Sequence, residues 1–205
     1  MSLTDVWLAA WGTLGLPASD RVYQDLLQRC AEPHRAYHTL QHIGEYLELF
    51  ADARQLCSRP GEVAIAIWFH DAVYDTHAAD NEQQSAELAA TALRDAGAGA
   101  EVISRVRELI LATAHTVSPA PGDQTLLVDI DLAILGSDRD RFEQYEEQIR
   151  QEYCWVPEVT FREKRREVLM RFAARSAICS TAFFQQRFER QARENLARAI
   201  ESLTT

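Results

Sequence analysis

At 205 residues and 47% hydrophobic content, the chain is long enough for one domain with a sizeable core and short for two. A formal net charge of -10 argues against non-specific binding to a nucleic-acid backbone, which depends on Lys and Arg neutralising phosphates, yet a few arginines in one pocket would still hold a small phosphorylated substrate. No uncharged apolar run approaches the ~18–20 residues that cross a bilayer, and the amphipathic N-terminus MSLTDVWLAAWGTLG carries Asp5 but no basic segment, so neither a membrane span nor a signal peptide is expected and the expected location is cytoplasmic.

Strand signals are nearly absent and helical periodicity dominates, which predicts an all-α, multi-helix bundle of about ten helices in a single domain over 1–205. In chain order the first helix spans 3–14, and its Trp7, Leu8 and Trp11 form either a dimer face or a cover for the core. A second follows at 19–31, and Pro33 separates it from a third at 40–54, which contains His42. Pro60-Gly61 then opens a helix over 61–74. Its sequence EVAIAIWFHDAVY is apolar around nearly the whole circumference up to His70, as in a central buried helix. The next helix, 81–96, begins with Asp80 or Asn81 as cap and Glu82 at the positive end of its dipole, and Gly97 and Gly99 punctuate the step to 100–115, which ends at His115. A proline-rich loop at 118–122 leads into 124–136, with Asp129 and Asp131, and then 139–154, 158–175 and 182–203 complete the chain. The metal-site core falls at about 34–136 and the C-terminal helices at about 139–203. Cys30, Cys57, Cys154 and Cys179 are widely separated with no CxxC pair, so they read as reduced, partly buried thiols.

Four ionisable groups stand out because they sit within or beside apolar helical sequence: His42, His70, Asp71 and Asp131. An unpaired buried carboxylate is costly, so Asp71 must be protonated, be paired or bind a cation. Asp131 poses the same problem, since Leu127, Ile134 and Leu135 share its helical face. Imidazole nitrogen and carboxylate oxygen together suit a divalent ion such as Mn, Fe, Co, Ni or Zn, and also Mg, and two His with two Asp leave positions open on an octahedral ion for water or substrate oxygen. Asp129 competes with Asp131. Residues two apart on a helix point about 200° apart, so the two should not both reach one ion.

Taken in order, His42, His70-Asp71 and Asp131 resemble the H…HD…D signature of the HD-domain superfamily of metal-dependent phosphohydrolases, an all-helical fold. YHTLQH at 37–42, FHDAVYDTHAADNEQQSAELA at 69–89, LVDIDLAILG at 127–136, IRQEY at 149–153 and ARENL at 192–196 are similar to one bacterial branch of it, described as predicted metal-dependent HD phosphohydrolases. The resemblance covers about residues 34–200. It implies His42, His70, Asp71 and Asp131 as the metal ligands, with Asp131 preferred over Asp129. YHxxxH also resembles the cyclic nucleotide phosphodiesterases, in which the first His protonates the leaving oxygen, and this makes His38 a candidate general acid. The alternative is that Thr39 caps the helix and His38 merely sits on the connecting loop. His115 falls where some superfamily members place another site His, and Glu82 is a candidate to orient water or hold a second metal.

The segment FREKRREVLMRFAAR at 161–175 is basic in an acidic protein. Phe161, Val168, Leu169 and Phe172 suit one buried stripe, with Arg162, Lys164 and Arg165 mostly outside it. Arg150, Arg166, Arg175 and Arg193 resemble positions of the branch and could bind phosphate through paired N–H donors, or else pair with Glu152 or Glu189 to tie terminal helices together. The expected activity is therefore hydrolysis of a phosphate ester, of a nucleotide or another small phosphometabolite, with Asp71 as central ligand. A non-catalytic metal- and nucleotide-binding sensor, and a di-iron oxygenase-like protein, are the alternatives.

Overall fold

The computed structural model describes residues 2–204, and among these all regular structure is helical, as the periodicity predicts. No helix among them is long and apolar enough to cross a membrane. The chain divides into two compact units, Met1–Val128 and Asp129–Thr205.

The first unit contains α1 (Leu3–Thr13), α2 (Asp20–Cys30), α3 (Leu40–Ala53), α4 (Pro60–Phe69), α5 (Asn81–Asp95), α6 (Ala100–Ala112) and the start of α7 (Asp123–Leu132). Every residue of α4 from Gly61 to Phe69 is buried, and α1, α3, α5 and α6 all pack against it, so the apolar circumference read from the sequence is that of a central helix. Pro60 supplies the fixed φ of its first turn, and the Asp123 carboxylate accepts hydrogen bonds from the Ser58 and Arg59 N–H groups just before it (2.7 and 2.9 Å). Trp7 and Trp11 cover the core: the Trp7 ring lies 5.5 Å from both Trp68 and Tyr23, and of the three α1 residues considered above only Leu8 is exposed. Glu62 is the charged exception on α4, and Arg105 of α6 satisfies both its oxygens at 2.6 and 2.8 Å.

Two helices stop earlier than their periodicity suggests. The pattern over 61–74 becomes helix only to Phe69, with His70 as C-cap, because polar partners beyond it take the backbone groups of Asp71, Ala72 and Val73. The helix predicted to 115 ends at Ala112. There the Thr113 hydroxyl donates to the Ile110 carbonyl (2.7 Å), and His115 lies three residues beyond with a positive φ of 52°.

In the second unit the end of α7 tightens into a 3-10 turn, Ala133–Gly136, followed by α8 (Arg139–Glu152), α9 (Glu158–Ala173), the single turn α10 (Ala182–Phe184), a π turn (Gln185–Glu189) and α11 (Arg190–Ser202). The predicted helix over 182–203 is thus one helical path with a π turn inside it. That turn carries Glu189, whose carboxylate accepts from the Ile178 and Cys179 N–H groups, while Asp129 accepts from Ser180 and Thr181 (both 2.7 Å). Four successive N–H groups of an irregular segment are satisfied by two carboxylates. Arg165 departs from the expected stripe. Its side chain is buried, lies over the Tyr145 ring at 5.0 Å and grips the Glu146 carboxylate with two nitrogens.

Gly136 is where the 3-10 turn meets the π turn. A Cβ there would stand 2.6 Å from the Phe188 backbone oxygen and 2.6 Å from its Cβ, and neither is a flexible side-chain end. Gly136→Ala should lower stability by about 1–3 kcal/mol through overpacking, read as a lower midpoint in urea unfolding; an unchanged midpoint would contradict the close approach.

Candidate metal centre

Each histidine and carboxylate of the centre is positioned by a different local device. The Thr39 side chain accepts from the Gln41 N–H and starts α3, which places His42 on the first turn with its ring buried. His70 caps the end of α4 and is buried to the same degree, and Asp71 follows on the turn that leaves the core. Aromatic rings enclose the pair of imidazoles: Tyr46 lies 4.1 Å from His42 and is stacked on His70 at 5.0 Å, and Tyr37 stands edge-on to His42 at 4.7 Å.

Three ligand atoms converge. His42 Nε2 is 3.0 Å from His70 Nε2 and 3.0 Å from Asp71 Oδ2, and His70 Nε2 is 2.9 Å from that same oxygen. Among the described residues this is the one group of three or more His, Cys, Asp or Glu side chains whose ligand atoms lie within 4.8 Å of one another, and it could hold a metal ion.

Proton counting shows why. His70 Nδ1 lies 2.9 Å from the Ile67 carbonyl, which only accepts, so Nδ1 carries the proton and a neutral His70 presents a bare lone pair at Nε2. Burial holds the His42 imidazole down at about 4, so near neutral pH it too is uncharged and has one ring proton. Burial also pushes the Asp71 carboxyl up, but the charges of His70 and His38 and the hydrogen bonds from His42 and His70 outweigh it and hold the group well below the usual carboxylate range. With both imidazoles neutral, the three short edges would share at most one proton and at least one edge would set lone pair against lone pair; a positive charge, the proton on His70 that also depresses Asp71 or a metal ion in its place, relieves it. His42 Nδ1 is buried with no hydrogen-bond partner, so it is the Nε2 side of this ring that is engaged.

The 2.9 to 3.0 Å edges of the triangle are short enough for one divalent ion to be held by all three atoms.

His38 and Arg35 surround this triangle. His38 Nε2 lies 3.9 Å from Asp71 Oδ2, and its ring stacks on Tyr74 at 4.0 Å. Thr39 caps the helix, and His38 on the connecting loop lies beside Asp71. Sequence reasoning missed Arg35, whose side chain is fully buried in a loop where an arginine ordinarily reads as surface. Nη1 donates to the carbonyls of His38 (3.2 Å) and Asp71 (2.7 Å), Nη2 to that of Ala72 (3.2 Å), and Nε to Glu32 (3.0 Å). Its only signal was position, three residues before His38.

The other candidates are not members of that group. Glu82 is in the first turn of α5 as expected, but capping there differs: Asp80 makes no side-chain cap bond, and Asn81 instead bonds the Asp75 N–H and carbonyl, closing the loop 75–81. His115 is half-buried, and neither it nor Glu82 belongs to the three-residue group. Asp129 and Asp131 both belong to the second unit. Asp129 is fully buried with each oxygen bonded to a backbone N–H, whereas Asp131 is half-buried, against the expectation of a buried face. Burial, with Glu146 and Asp131, pushes the Tyr145 phenol up against the pull of Arg165.

Of the arginines, Arg150 spans Glu158 (2.9 Å) and the Tyr153 and Val156 carbonyls, and Arg193 spans Glu189 and the carbonyls of Ala173, Arg175 and Ser176. Both are helix ties, Arg193 with the expected Glu189. Arg166 bonds the Thr204 hydroxyl, and Arg175 lies over the Phe172 ring at 4.8 Å. No family model, curated protein or solved structure matches the chain.

The depressed His42 value has a consequence for stability. Between an ordinary 6.5 and about 4 the unfolded chain binds a proton at His42 that the folded chain does not, so stability rises with pH in that window and is lost as pH falls. Asp71, also depressed, acts in the same sense only at lower pH. Metal-free protein should lose a few kcal/mol between pH 7 and pH 4.5 in urea unfolding, and His42→Gln should flatten that slope; a slope equally steep in the variant would sink the attribution.

Proposed function

We propose that the chain is a metal-dependent phosphohydrolase of the HD-domain type, acting on a phosphate ester of a nucleotide or another small phosphometabolite. The observation that carries the reading is the triangle of His42 Nε2, His70 Nε2 and Asp71 Oδ2, three ligand atoms that would leave further positions of a six-coordinate ion for water or substrate. When bound, such an ion supplies an electrophile for a phosphoryl oxygen and acidifies water toward a pKa of ~7.

The chain's own residues divide the remaining work. The Asp71 carboxylate is ionised throughout the neutral range and so accepts a hydrogen bond from the attacking water, orienting it. His38, half-buried and 3.9 Å from that carboxylate, is on the same side as the ligand atoms and donates its Nε2 proton to the departing alkoxide. Tyr37, Tyr46 and Tyr74 wall the imidazoles and reduce competing solvent on that side, which strengthens each charge interaction there.

One observation favours a second reading. Two His and one carboxylate are also the ligand set of mononuclear Fe(II) oxygenases. Oxygen uptake by Fe(II)-loaded protein without phosphate release would select it.

The proposal is tested by stripping the protein and adding Mn²⁺, Mg²⁺, Co²⁺ or Ni²⁺ separately to a panel of phosphate monoesters and diesters. Asp71→Ala should abolish both metal binding and turnover while far-UV helicity stays intact, because the Arg35 bonds use the Asp71 backbone and not its side chain. Retained metal content and turnover in that variant would defeat the assignment. His38→Asn should lower kcat by about 10²-fold or more on alkyl esters and far less on p-nitrophenyl esters, whose leaving group needs no acid. Equal losses on both would remove His38 from that role.

A further inference from the structure

We infer that Arg35 is the positioning residue of the metal centre: its buried guanidinium joins the loop that carries His38 to the turn that carries Asp71 and so sets the affinity for the ion. The inference rests on the metal-centre reading. It stands on three observations.

First, the guanidinium bonds both segments at once. Nη1 bridges the His38 and Asp71 carbonyls at 3.2 and 2.7 Å, and Nη2 takes the Ala72 carbonyl at 3.2 Å. These bonds cross 36 and 37 residues of sequence, and the short one is to the backbone of the residue that supplies the carboxylate. Second, the side chain is fully buried, and a buried guanidinium is retained only where its donors are satisfied. Here Glu32 orients the fork through Nε at 3.0 Å, and the Tyr74 ring, which also stacks on His38, lies 5.4 Å from Cζ. Third, the other bond between the loop and this turn, from the His34 ring to the Tyr74 carbonyl at 2.8 Å, lies three residues beyond Asp71, whereas Arg35 holds the Asp71 backbone itself. The Ser85 hydroxyl holds Val73, two residues on from Asp71, and does not reach the His38 loop.

The planar fork is what makes the link rigid. Five N–H donors in fixed directions serve three carbonyls and a carboxylate together, whereas a lysine ammonium has three donors on a flexible stem and cannot serve both segments with the same alignment. Second partners of this kind typically alter metal affinity by about 10–100-fold when removed.

The test uses the whole chain, stripped of metal with a chelator, with Mn²⁺ affinity measured by calorimetry alongside the thermal midpoint. Arg35→Lys is compared with Arg105→Lys, which disturbs the buried Glu62 pair in the same unit and serves as a control for general destabilisation. The expected result is about 10-fold or greater weakening of Mn²⁺ binding in Arg35→Lys, with wild-type affinity in Arg105→Lys at a similar loss of thermal stability. Mn²⁺ affinity within twofold of wild type in Arg35→Lys overturns the inference and leaves the metal centre standing. Equal weakening in both variants also overturns it, as a mere stability effect. No Mn²⁺ binding by the wild-type protein overturns the metal-centre reading itself, and this inference with it. Should Arg35→Lys fail to fold, Glu32→Ala decides, since it frees the fork from a part-exposed partner: weakening of about threefold or more supports the inference, and unchanged affinity overturns it.

Discussion

A helix that is buried on every side must still end somewhere, and the way α4 ends shapes everything about the candidate site. Its C-terminal carbonyls emerge in a low-dielectric interior, where an unpartnered backbone group costs about as much as a lost hydrogen bond. The chain answers with polar groups instead of solvent: His70 Nδ1 takes the Ile67 carbonyl, Arg35 takes those of Asp71 and Ala72, and Ser85 holds Val73. In satisfying the helix end, these bonds also fix a His tautomer and aim a carboxylate. The device that lets the helix stop inside the core also arranges the residues that could hold a metal ion.

That coupling gives the centre its electrostatic character. The His70 ring and the Asp71 backbone are held by groups other than an ion, so the three ligand atoms stand together without one. A cation site arranged in advance in this way requires little rearrangement on binding. The surrounding tyrosines contribute in the same direction, lowering the local dielectric around charges already aligned.

The second unit uses its charges differently. Asp129 and Glu189 satisfy four backbone N–H groups of one irregular segment, Arg193 gathers three carbonyls, and Arg165 is buried against Tyr145 and Glu146. These side chains are committed to backbone and to one another. The resemblance suggested phosphate for Arg150 and Arg193, and in the structure both bond backbone carbonyls and a carboxylate.

Periodicity alone was enough for the helical class and for nearly every helix, because burial of one face over ten or more residues leaves a repeat that turns and loops do not blur. It also marked α4 as central, and chemistry alone marked His42, His70 and Asp71, since such groups beside so apolar a run require a partner. What the repeat could not show is where α4 ends, because AVY continues the apolar pattern past Asp71 and the competing bonds come from Arg35 and Ser85, distant in sequence. The same limit hid Arg35, whose burial depends on three carbonyls that no local pattern brings together. It also left Asp131 half-buried where a buried face was expected, because a helical face is buried only where something packs on it. Local sequence determined which residues form helices and which side chains needed partners; only the tertiary structure decided who those partners are, because long-range hydrogen bonds and packing leave no period in the chain.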